Sequence, residues 1–205
     1  MSDEEATPRG TREIPRRVRI GAEDIALRAM TPNDRDAVLA FARSLPEHDL
    51  LFLRRDITAV SVLDAWVADL EWDELRTLLA LRGEDVVGYT TVHREPMPWS
   101  SHVAEIRTLV AEPLRSRGLG RVLAQQAFAL ALEMGIEKLM AQMTPDQQGA
   151  IATAEGLGFR TEALLRNHVK DRKGRYHDLL LLSHDVGRQE AQLAAYGLRD
   201  PGACG

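Results

Sequence analysis

The chain has 205 residues, enough for one domain with a substantial buried core. Its hydrophobic fraction of 44% and charged fraction of 28% are ordinary for a globular protein. A net charge of −5 argues against broad nucleic-acid binding, and no apolar run approaches the ~18 residues that would span a membrane.

Residues 1–16 mix acids, arginines and prolines without periodicity, carry no signal-peptide core and read as a flexible leader. Val18 and Ile20 alternate with arginines, and Ile25, Leu27 and Ala29 alternate again after Gly21, which predicts a short strand or hairpin and then a half-buried strand. Thr31-Pro32-Asn33-Asp34 is a helix-start signal, and the helix it opens carries Val38, Leu39, Phe41 and Ala42 on one side and stops before Pro46. Residues 47–57 hold an apolar cluster, Leu50 to Leu53, with no clear period. A second helix is predicted over 61–70, with Val62, Leu63, Trp66, Val67 and Leu70 at helical spacing. Trp66 and Trp72 read as core or groove-wall residues.

From Arg76 the period changes to two. Strands around Leu78–Leu81 and Val86–Val92 flank Gly83-Glu84-Asp85, an antiparallel hairpin signal. A further strand is predicted over 102–110, then a loop, Arg115-Ser116-Arg117-Gly118-Leu119-Gly120, and a helix over 118–134 that Gly135 ends. Residues 138–143 read as a strand, so this unit implies a parallel, right-handed crossover. A helix over 148–157 and a closing hairpin, strands 161–169 and 176–183 about a polar turn, complete the domain. Residues 187–205 form a tail with a possible short helix over 189–198 and the lone cysteine, Cys204. That thiol has no internal disulfide partner and suits a reducing cytoplasm.

The stretch from His102 to Met134 is the informative one. Strand, glycine turn and helix start make an anion site, because the first helical N–H groups have no partner inside the helix and carry partial positive charge. Glycines allow close approach of a phosphate. Arg115, Arg117 and Arg121 add charge nearby. The P-loop pattern is absent, and a dinucleotide fingerprint would need glycine where Leu123 stands.

This order of elements, with LVAEPLRSRGLGRVLAQQAF and, further on, QQGAIATAEGLGF, resembles the GNAT superfamily of acyl-CoA-dependent N-acetyltransferases over most of residues 24–186. The resemblance implies an α/β (α+β) fold with a GNAT-like mixed central sheet of about seven strands flanked by about four helices, in a domain spanning 17–186. It implies acetyl-CoA as cosubstrate, no metal, and acetyl transfer to a primary amine of a small molecule, amino acid or protein. It also leaves room for a homodimer. Arg115, Arg117, Gly118, Leu119, Gly120 and Arg121 would surround the cofactor pyrophosphate, mainly through backbone N–H groups. Leu109 and Val110 would offer backbone groups to the acetyl and pantetheine amides, and Gln147 stands where the family usually has asparagine.

Two departures stand out. Ala154 occupies the position of the family's general-acid tyrosine, which leaves water or another residue, such as Tyr176, to protonate the departing thiolate. Glu112-Pro113 places proline one residue later than is common. The candidate base is Glu105, with His102 and His93 as alternatives and a solvated or ion-paired carboxylate as the bland reading. Ala154 also motivates an alternative function, a catalytically weak acyl-CoA-binding sensor or interaction module. A nucleotide-phosphate binder using the same glycine loop is a third reading.

Overall fold

The computed structural model describes residues 16–51, 53–70 and 74–186. The leader apart from Arg16, the tail with Cys204 and its short helix, Phe52 and Trp72 lie outside the described residues. Among the described residues eight strands form one sheet, in the order β1-β2-β3-β4-β5-β6-β8-β7. They are β1 (Arg16–Ile20), β2 (Glu23–Ala29), β3 (Leu75–Arg82), β4 (Asp85–Arg94), β5 (Val103–Val110), β6 (Lys138–Met143), β7 (Arg160–Lys170) and β8 (Tyr176–Asp185). The α-helices are α1 (Arg35–Ser44), α2 (Glu47–Leu50), α3 (Val60–Asp69), α4 (Leu119–Glu133) and α5 (Gln148–Glu155).

The sheet is mixed and the fold α/β, as expected, and the described residues hold one strand and one helix more than the seven and four expected. The extra strand is β1, which forms a full hairpin with β2 about Gly21, whose φ of 62° suits the tight turn. The extra helix is the single turn α2, in the stretch where the apolar cluster has no period. Thr31 to Asp34 is a 3-10 turn rather than the first turn of α1; the Asp34 carboxylate accepts from Thr31 N and Oγ1, both at 2.8 Å, and from Arg28. No helix among the described residues is long and apolar enough to cross a membrane.

Alternation along the strands divides the core in two. Ala104 and Ile106 of β5 face α4 with Leu119, Leu123, Ala127 and Leu130, while Leu109 joins Tyr89 and Leu79 on the other face. On that second face α1 and α3 pack Phe41 and Trp66 edge-on against the Tyr89 ring, at centroid separations of 6.1 and 5.2 Å. Trp66 is thus a core residue, with its Nε1–H donated to Thr77 Oγ1 at 3.1 Å.

The consequential feature is the parallel pair. β5 and β6 match at Val103↔Lys138, Ala104↔Leu139 and Glu105↔Met140, and there the pairing ends. Beyond it β5 stays on β4 as far as Val110, and β6 stays on β8 as far as Met143. The two strands therefore part inside the sheet and open a cleft between their C-terminal halves.

Candidate active site

A cavity of about 780 Å³ fills this cleft. One wall is Ile106 to Val110, the other Ala141 to Thr144. Its floor takes Ala124 from α4 and Ala154 from α5, and Leu179 comes from β8.

Two helices begin at the cavity. Gly118 caps α4 with φ 95°, a left-handed conformation that costs glycine nothing, and Gly118, Gly120 and Arg121 line the wall. A Cβ placed on Gly120 would meet only Val110 Cγ2, at 3.7 Å, so the loop lies open toward the cleft. Gln148, Gly149 and Ala150, at the start of α5, line the opposite side. The free N–H groups and partial positive charge at the start of α4 make this end of the cavity suited to anions.

The predicted loop residues do not all arrive there. Arg115 lines the cavity, donates its Nε–H to the Val110 carbonyl at 3.1 Å and ion-pairs with Asp49. Arg121 lines it too, with Nη2 3.5 Å from the Gly156 carbonyl. Arg117 is turned outward to Glu23 at 3.4 Å and is absent from the cavity wall. Leu119 is fully buried in the core beneath α4, so only its backbone can serve the loop. Leu109 and Val110 lie on the wall, and so does Gln147, whose Oε1 accepts from Thr144 N at 3.0 Å. That local bond ties its amide to the loop before α5. Ser116, which sequence reasoning passed over, also lines the cavity and holds φ 56° in the loop. Glu112-Pro113 forms a 3-10 turn that buries Leu114.

Helix α2 reaches across the cleft. His48 and Asp49 both line the cavity; His48 Nε2 is 2.7 Å from Asp146 Oδ2, while Asp49 holds Arg115 on the other jaw. The Asp146 carboxyl sits below the usual carboxylate range, chiefly through the nearby Thr144 hydroxyl and in part through His48. Sequence reasoning missed both α2 contacts.

Glu105 is 3% exposed, at the last residue of β5 paired with β6. Its Oε1 lies 2.6 Å from Arg107 Nη2 and its Oε2 2.7 Å from Arg54 Nε. His93 stands directly across from it on β4, with Nδ1 3.5 Å from Arg54 Nη1. Burial first, and then Arg54, lower the His93 pKa, so its imidazole is held neutral. The carboxylate is thus in a charged cluster one residue from the cavity wall, rather than solvated. His102 precedes β5 and is exposed, with its carbonyl accepting from Glu137 N and Lys138 N.

Tyr176 does not join the site. It is 58% exposed at the start of β8, its ring lies under Lys170 Nζ at 4.4 Å, and it is not part of the cavity wall. It is therefore badly placed as an acid for a leaving group in the cleft. Ala154, by contrast, is buried and lines the cavity.

Comparison with known proteins agrees with this geometry. The family model described as Acetyltransferase (GNAT) family matches residues 44–159. A ribosomal-protein-alanine N-acetyltransferase from Brucella melitensis is 25% identical, with a TM-score of 0.69 over 78% of this chain and 98% of its own. A GNAT-family acetyltransferase from Streptococcus pneumoniae shares the fold at 18% identity and TM-score 0.70, over 78% of this chain and 99% of its own. A putative acetyltransferase, yncA, from Salmonella typhimurium, solved with acetyl-CoA, shares it at 18% identity and TM-score 0.69, over 79% of this chain and 94% of its own. With the family model covering more than half its residues and the parted strands and capped glycine loop in place, the chain belongs to the GNAT acetyltransferase family.

Proposed function

We propose that the chain transfers the acetyl group of acetyl-CoA to the nitrogen of a primary amine. The observation that carries this reading is the cleft where β5 and β6 part, with the capped start of α4 on its wall and Glu105 at the last paired position, one residue before the wall begins at Ile106. The backbone N–H groups of Gly118, Leu119, Gly120 and Arg121, with the Arg115 guanidinium, suit the pyrophosphate. The inner edge of β5 at Leu109 and Val110 suits the amides of the pantetheine arm. Gln147 closes the same wall from the α5 side. A bulky thioester in extended form fits a long cavity between two strand edges better than a compact nucleotide phosphate does.

The step is direct. The acceptor ammonium loses a proton to Glu105, straight or through water, and the neutral nitrogen attacks the thioester carbonyl. The N–C bond forms, the C–S bond breaks, the sulfur leaves as thiolate, and the nitrogen gives up its second proton to water. A thiolate is a tolerable leaving group, so a proton from water suffices where Ala154 replaces tyrosine. Backbone donors on the strand edge stabilise the oxyanion.

Acceptors of this reading are amine-bearing small molecules, amino acids or protein amines. The Brucella relative, a ribosomal-protein-alanine N-acetyltransferase, keeps protein acceptors in the panel. The test is thiol release from acetyl-CoA across polyamines, amino acids, peptide N-termini and lysine peptides. Release with at least one acceptor supports the enzyme. Tight acetyl-CoA binding without release from any of them favours the acyl-CoA sensor, the reading that Ala154 in the cavity wall supports.

A further inference from the structure

The face of β5 turned away from α4 carries Glu105 and Arg107, and β4 sets His93 beside them. Arg54 reaches this point from the irregular stretch between α2 and α3. All three of its guanidinium nitrogens are directed inward. Nε is 2.7 Å from Glu105 Oε2, Nη2 is 3.0 Å from Glu95 Oε1, and Nη1 is 3.5 Å from His93 Nδ1.

A buried carboxylate needs a cation beside it, and Glu105 has two. They differ in kind. Arg107 is built into β5, with a side chain only 20% exposed. Arg54 rides on irregular backbone with a side chain 47% exposed, so its guanidinium has an open route to solvent while Arg107 stays with the carboxylate. The charges of Arg54, Arg107, Glu95 and Glu105 sum to zero, with His93 neutral.

Position gives this exchangeable cation a meaning. Glu105 is where β5 and β6 part, and Arg107, next on the same face, lines the cavity. An amine heading for a thioester in the cleft arrives at Glu105 as an ammonium. While Arg54 stays, that ammonium is a third cation on one carboxylate. If Arg54 leaves, the cluster is neutral again.

We infer that Arg54 is a specificity-determining residue: its guanidinium holds the acceptor's ammonium position between Glu95 and Glu105 and yields it to a simple cationic alkylamine. This rests on the acetyl-transfer reading above. The exchange is neutral for a monocation. An amine with a carboxylate on the adjacent carbon brings a negative charge toward Glu95 and Glu105, and so fits worse.

The experiment is calorimetric binding of n-butylammonium and of glycine to the full chain, with and without coenzyme A. Arg54→Gln should bind n-butylammonium about threefold tighter than the unmodified chain, the scale of the half-exposed Arg54–Glu95 pair that the amine takes over, and Arg54→Lys should restore the weaker binding. Guanidinium ion at low concentration should compete with the amine in Arg54→Gln. Glu95→Gln, on a residue exposed enough to leave the fold intact, should weaken n-butylammonium binding. Equal or weaker binding by a folded Arg54→Gln overturns the inference. So does unchanged binding by Glu95→Gln, which decides the matter alone if Arg54→Gln does not fold, and so does tighter binding of glycine than of n-butylammonium. Binding is read without turnover, so a chain that follows this pattern yet releases no thiol contradicts the transfer reading and leaves only an amine site that Arg54 contests.

Discussion

A Cβ on Gly88 of β4 would lie 2.9 Å from the Leu109 carbonyl oxygen and 3.2 Å from Leu123 Cδ1. The wall of the cleft is thus held by backbone that touches its neighbouring strand where only glycine fits. Gly88→Ala must push β5 away from β4 or displace Leu123. We predict a loss of about 1–3 kcal/mol in denaturant unfolding, and weaker acetyl-CoA binding through the shifted edge at Leu109 and Val110. Wild-type stability would show that β5 moves freely.

The two loop glycines should respond differently. Gly118 has φ 95° and no atom within 4 Å of a Cβ, so Gly118→Ala costs only backbone strain, about 1–2 kcal/mol. Gly120 has ordinary backbone and open space, so Gly120→Ala should leave unfolding nearly unchanged. Parallel urea titrations of the two variants test this contrast, and equal losses would contradict the assigned roles.

Glu105→Gln removes the proposed proton acceptor while keeping its shape. Thiol release should fall by about 10²-fold or more, the scale of one acid–base group, with acetyl-CoA affinity within a factor of about two. Two guanidiniums would then face a neutral amide, so some stability should also be lost. Unchanged turnover by a folded variant would remove Glu105 from the mechanism.

Asp34 offers a pH test away from the site. The Arg28 hydrogen bonds, followed by those of Thr31, hold its carboxyl down to about 2 from an ordinary 3.8, against the opposing effect of burial. A carboxyl depressed in the folded state binds fewer protons than in the unfolded chain, so stability grows with pH across that interval. The contribution, about 2 kcal/mol, is present above pH ~3.8 and disappears as the pH falls through ~2. Asp34→Asn should therefore be less stable than wild type at pH 7, and the two unfolding curves should converge toward pH 2. A constant difference across that range would contradict the assignment.

Much of this was legible in the sequence because it depends on local pattern. Period-two stretches placed the antiparallel strands, and Arg115 to Gly120 placed the capped loop, since a glycine turn before an apolar-periodic helix has few other outcomes. What local pattern cannot carry is pairing between distant charges. Glu105 reads in sequence as a strand carboxylate; its burial between Arg107 and Arg54 depends on a segment far back in the chain. Helix α2 was hidden because one turn is too short to show a period, and its hold on Arg115 and Asp146 exists only in three dimensions. Arg117 shows the converse limit: the loop position was legible, but the direction of its side chain toward Glu23 follows from the β1–β2 hairpin.

The central claim is that the cleft between β5 and β6 holds acetyl-CoA with its pyrophosphate at the start of α4. Gly120→Glu puts a carboxylate there without crowding the fold, since only Val110 lies near its Cβ. Titration calorimetry of acetyl-CoA into the wild-type chain and into Gly120→Glu is the most direct test. One site on the wild type is expected, with a rise in its melting temperature on adding ligand and no measurable binding by a folded Gly120→Glu. Equal affinity in the two proteins, or no binding by the wild type, would contradict it.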